Sequence, residues 1–156
     1  MHNGVRLHIS YKRSFLFIFF HLYFWSRKLF IEISPTIEIP TQVKREALFE
    51  KDSYYAKLIH KLIEEKKIKV IPAENKKAAE IMKEFDLDEG EAAAYVLFDK
   101  KRHKALLTDD GELIKLCKLE NIEFICVMAI IIRLSELNKI GRYSKELYEH
   151  FKNKVI

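Results

Sequence analysis

Between residues 36 and 137, short apolar runs alternate with segments that repeat apolar side chains every three or four positions. This alternation limits the chain to few architectures. Residues 36–39 alternate as a short strand, and 68–71, 105–108 and 122–127 are apolar, β-branched runs of strand length. Between them the spacing predicts helices over 42–49, with Thr41 as N-cap, and over 52–66, 75–85, 89–98, 112–119 and 129–137, with a terminal helix over 144–153. Strands that are continuously apolar are buried on both faces, and strands separated by helices pair in parallel through crossovers. The expected fold is therefore α/β, a three-layer α/β/α arrangement around a mainly parallel sheet of four to five strands.

Composition supports one domain over residues 1–156, with 1–14 as an atypical N-terminal segment. A chain of 156 residues that is 49% hydrophobic and 33% charged can bury a real core. Four glycines and three prolines leave little linker material, and no repeat is present. Cys117 and Cys126 lie in apolar segments and read as reduced, buried thiols of a cytoplasmic protein, and the six histidines show no zinc spacing. The net charge of +5 is compatible with a polyanionic partner. Its clusters at Lys66-Lys67, Lys76-Lys77 and Lys100-Lys101-Arg102 each read most simply as the wet face of a helix.

The aromatic run over residues 15–25 is too short to span a membrane, which takes about 20 apolar residues, and no small-residue cleavage site follows it. A buried strand running into a buried helix is the expectation there, and no stable membrane insertion is expected. Helix 89–98 is nearly all apolar after its first turn, so it should be buried on several sides.

Three acids fall where ligands bind in parallel sheets, at the carboxyl ends of strands. Asp109-Asp110 follows the apolar run 105–108, Glu91 opens the buried helix, and Glu46 lies within the helix after Pro40. Together they would suit a hard divalent cation, which takes oxygen ligands and retains water. Each also has a plainer role. Glu46 reads as a solvated helix residue, Glu91 as an acid near a helix N-terminus, and Asp109 as a cap forming an approximate capping box with Glu112.

The order Ile-Pro-x-x-Val-x-x-Glu over 39–46, Leu-x-x-Gly-Glu-Ala-x-Ala over 87–94 and Leu-Leu-Thr-Asp-Asp over 106–110 resembles the PIN-domain family. The stretch 129–137 followed by Asn-Lys-Ile at 138–140 is similar to the closing helix and turn of its prokaryotic Gly-Glu-Ala branch. The resemblance implies a metal-dependent ribonuclease using Mg2+ or Mn2+, with Glu46, Glu91 and Asp110 as catalytic metal ligands and Asp109 in the variable position beside them. It further implies RNA as substrate, a role as the toxin of a toxin–antitoxin pair with an antitoxin partner, and a homodimer.

The chain departs from the pattern at its first acid. The family places an aspartate after the first strand, Lys12 falls in that position, and no aspartate precedes Asp52. A protonated lysine cannot ligate a cation. Three explanations stay open: a catalytically impaired relative that binds RNA or protein, a natural start that differs from residues 1–13, or a different register. A phosphoacceptor receiver domain is disfavoured because its paired aspartates come near the first strand. A non-enzymatic interaction module using the aromatic N-terminal segment is the other alternative.

Overall fold

The computed structural model describes residues 6–9 and 36–136. Five strands form one all-parallel sheet: β1 (Arg6–Ile9), β2 (Thr36–Pro40), β3 (Ile68–Ile71), β4 (Ala105–Leu107) and β5 (Phe124–Ile125), in the order β3-β2-β1-β4-β5. The helices are α1 (Thr41–Ala47), α2 (Tyr54–Glu64), α3 (Asn75–Phe85), α4 (Glu89–Leu97), α5 (Gly111–Leu119) and α6 (Val127–Glu136). Right-handed crossovers in a sheet that grows outward from β1 in both directions put helices on both faces, giving the expected α/β/α layering.

Two apolar layers follow from strand alternation. Ile37, Ile39, Ile68, Ala105 and Leu107 are buried. Parallel register aligns Ile37 with Ile68, so this set forms one face. On the other face Leu106 packs with Ala92 and Ala94 of α4, Ala78 of α3, and Leu113, Leu116 and Cys117 of α5. The alanines let α4 lie close to the sheet, and Ala92, Ala93 and Ala94 are fully buried. Helix 4 is thus buried on several sides, as its composition predicts.

Glu38 is the exception in β2, at 2% exposure. Its alternation with Ile37 and Ile39 suggests a wet face, yet parallel sheets are covered on both faces. The carboxylate is accommodated by His103, whose Nε2 lies 2.8 Å from Glu38 Oε2. His103 Nδ1 accepts from the Asp99 N–H at 2.9 Å. With Nδ1 so engaged, the network assigns the proton to Nε2, which donates to Glu38. Arg102 Nη2 stands 3.5 Å from the same oxygen. The bond reaches from β2 to the approach of β4, across the position of β1 between them.

Several boundaries differ from the sequence expectations. The first helix starts at Thr41 with Pro40 as N-cap and no side-chain cap bond, so Thr41 is a helical residue and not the cap; proline supplies extended geometry that ends β2. Strand β5 is only two residues long, and α6 begins at Val127. The largest correction concerns the first residues. Arg6–Ile9 is the central strand, paired with both β2 and β4, although it lies in the segment read as atypical. Its Arg-Leu-His-Ile pattern hides a buried strand behind two polar residues. The aromatic run 15–25, Lys12, the turn at 138–140 and helix 144–153 lie outside the described residues.

Candidate active site

Because all five strands are parallel, their carboxyl ends lie along one edge. Helix α1 starts directly after Pro40 of β2, Asp110 follows Leu107 of β4 by three residues, and the N-terminus of α4 packs on α1. Glu46, Glu91 and Asp110 are therefore carried by elements that begin on the same edge.

Glu46 sits against Gly90. A Cβ at Gly90 would lie 3.3 Å from Glu46 Oε2, 3.3 Å from Val43 Cγ2 and 3.5 Å from Asp88 Oδ1. The bare backbone there lets two carboxylates approach one point. Glu46 is half-buried, and its carboxyl is pushed up to about 7 by burial first, then by the negative charges of Asp88 and Glu89, against the lowering effect of Arg45. Arg45 is paired with Glu89.

Glu91, 3% exposed, completes a capping box at the start of α4. Its Oε2 accepts from the Asp88 N–H at 3.0 Å, while Asp88 Oδ1 accepts from the Glu91 N–H at 2.8 Å. The signal was present in Asp88-Glu89-Gly90-Glu91, an acceptor followed three residues later by glutamate. Sequence reasoning missed Asp88, the acid that both orients Glu91 and raises Glu46.

The adjacent aspartates divide differently from the expectation. Asp110, not Asp109, is the N-cap of α5: its Oδ1 accepts from the N–H groups of Glu112 and Leu113, both at 2.9 Å. Its own N–H donates to Thr108 Oγ1 at 3.0 Å, and it is 9% exposed. Asp109 is exposed. The Asp109–Glu112 box fails because helix α5 starts one residue later than that pairing requires.

Gln42, one turn before Glu46, is 5% exposed; its Nε2 donates to Asn75 Oδ1 at 3.0 Å. Cys117 is buried and its thiol is pushed up to about 11 by that burial, whereas Cys126 is only partly buried; both are free thiols. Cys126 thus departs from the buried reading.

A protein-family model described as a PIN domain matches residues 27–155, most of the chain. The chain belongs to the PIN-domain family. PIN domains are in general nucleases that use divalent metal ions. Residues 1–26, which include β1, precede the matched span. Comparison with curated proteins and with solved structures gives no match.

The donor chemistry fits such an ion, since the edge offers carboxylate oxygens and the crowding of negative charge around Glu46 is what a cation would relieve. A ready-made cage is not present: among the described residues no group of three or more His, Cys, Asp or Glu side chains is arranged to hold a metal. Magnesium does not require one, because it usually keeps several waters and takes one or two protein carboxylates. No helix among the described residues is long and apolar enough to cross a membrane.

Proposed function

We propose that this PIN domain is a divalent-metal-dependent endoribonuclease in which Glu46, Glu91 and Asp110, with Asp109 beside them, hold Mg2+ or Mn2+. The observation that carries the reading is the placement of acids on elements that start at one edge of an all-parallel sheet, in a chain of this family. When bound, the ion supplies an activated water and charge neutralisation at a phosphodiester. The chain's part is orientation. Glu91 and Asp110 are each held through one oxygen by backbone N–H groups at a helix start, which fixes both carboxylates before a cation arrives. Gly90 leaves room for Glu46 to stand beside Asp88.

Thermal stability under Mn2+ or Mg2+ titration tests the metal site, since an ion that binds only the folded state raises the midpoint. A rise that Asp110→Asn abolishes, together with loss of cleavage of a single-stranded RNA, supports the reading. Equal cleavage by the variant would assign the activity elsewhere.

A second reading is a catalytically impaired PIN relative that binds RNA or protein. What favours it is the absence of a converged metal set among the described residues and the use of one oxygen each of Glu91 and Asp110 as helix caps. No midpoint shift at millimolar metal would select it. The finer biological role we propose is a cytoplasmic toxin of a toxin–antitoxin pair, acting as a homodimer. It is supported by the Gly90-Glu91-Ala92 signature alone and is tested by growth arrest on expression, with relief by a neighbouring gene's product.

A further inference from the structure

We propose that the turn joining α1 to α2 is a subsite for single-stranded RNA, with phosphates held by Lys51 and Lys57 and a base stacked on Phe49; the inference rests on the nuclease reading of the rim acids. A cavity of about 430 Å3 opens between the end of α1 and the first turns of α2. Its described lining is apolar at the floor, Leu48 and Ala56, and basic at the rim, Lys51, Lys57 and His60. No carboxylate of the same turn lines it, although Glu50 and Asp52 flank Lys51 in sequence.

Three observations point to a polyanion with planar bases. Phe49 is 77% exposed, an unusual state for a phenylalanine and the state a stacking platform requires. Many surface cations have acidic partners, Lys77 with Glu74, Lys115 with Glu112 and Arg133 with Glu136. Neither Lys51 nor Lys57 forms an ion pair among the described residues. His60, 3.5 Å from Glu64, adds a third polar group at the rim.

Position ties the cavity to the acids. The Phe49 N–H donates to the Glu46 carbonyl at 3.2 Å, so the platform begins one turn beyond Glu46, about 5 Å along the chain. A strand lying over Phe49 and the lysines is led toward the carboxyl edge of the sheet. A second copy of the chain fits the surface less well, because a twofold contact brings this basic rim against itself.

The test measures binding without cleavage. Fluorescence anisotropy follows a labelled twelve-nucleotide 2′-O-methyl RNA strand of mixed sequence, in EDTA, against the full chain. Lys51→Glu with Lys57→Glu should raise Kd at least tenfold, and the log–log salt slope should fall by about 1.4, the value for two phosphate contacts on a single strand. Phe49→Ala should weaken binding about fivefold or more. The same charge change placed on α3 and α5, Lys83→Glu with Lys118→Glu, should change Kd less than twofold. Equal losses from both pairs would overturn the subsite, as would unchanged affinity in Phe49→Ala. So would self-association that only the Lys51 and Lys57 pair disrupts, which would make the face a protein contact. Because no metal is present, failure of the catalytic reading, seen as cleavage unaffected by Asp110→Asn, leaves this measurement independent.

Discussion

Glu46→Gln should make the metal-free protein more stable at pH 8 and leave it unchanged near pH 4. In the unfolded chain the carboxyl titrates near 4.5, and in the fold at about 7. Between these values the native state holds a proton that the unfolded state has lost, so wild-type stability falls as pH rises through the window and levels off above it. Burial is the main cause, with Asp88 and Glu89 adding to it. At about 1.4 kcal/mol per pH unit the full interval would amount to about 3 kcal/mol. Glu46 is only half-buried, and water screening reduces the expected effect to about 1–2 kcal/mol.

Glutamine keeps the size of the side chain and never ionises. The difference in melting midpoint between variant and wild type, measured in EDTA from pH 4 to 8.5, should grow from near zero to about 2–8 °C for a chain of this length. Titration of the remaining carboxylates is common to both proteins and cancels in the difference. A gap that stays flat across the range, or one that favours wild type as pH rises, would refute the claim that Glu46 is ionised at a cost beside Gly90.

Asp110→Ala should cost about 1–2 kcal/mol by leaving the Glu112 and Leu113 N–H groups without their cap, whereas Asp110→Asn keeps an acceptor there and should melt within about 1 °C of wild type. His103→Ala should lower stability by about 2–4 kcal/mol in chemical denaturation, because it strips a partner from the buried Glu38 carboxylate; adding Glu38→Leu should recover much of the loss. Gly90→Ala gains up to about 1 kcal/mol of helix propensity but sets a Cβ 3.3 Å from Val43 and Glu46. The expected overpacking cost is about 1–3 kcal/mol, giving a net loss readable as a lower urea midpoint.

The helical half of this fold was readable because amphipathic spacing is a dense signal: each predicted helix from 42–49 to 129–137 has a counterpart in the structure, displaced only at its ends. The sheet was less so. Arg6–Ile9 and Glu38 show why, since a polar residue in a buried strand looks like a wet face until its partner is known, and His103 stands 65 positions away from Glu38. Among the acids, the Asp88–Glu91 spacing carried a legible cap, but the contact of Glu46 with Gly90 joins helices 44 residues apart and left no mark on local pattern.

The two capping carboxylates and Glu46 occupy opposite electrostatic situations on one edge. Glu91 and Asp110 meet backbone N–H groups at helix starts, where partial positive charge favours the ionised form. Glu46 meets Asp88 and Glu89, where ionisation is penalised. An arrangement built only for stability would have no use for the second environment, since glutamine or leucine in place of Glu46 removes the penalty without disturbing either cap. The caps explain why two of the acids belong in the fold; they do not explain Glu46, and that residue is therefore the sharper discriminator between a structural edge and a catalytic one. If Glu46→Gln stabilises the metal-free protein yet removes the stabilisation by Mn2+, the unfavourable carboxylate is retained for the cation.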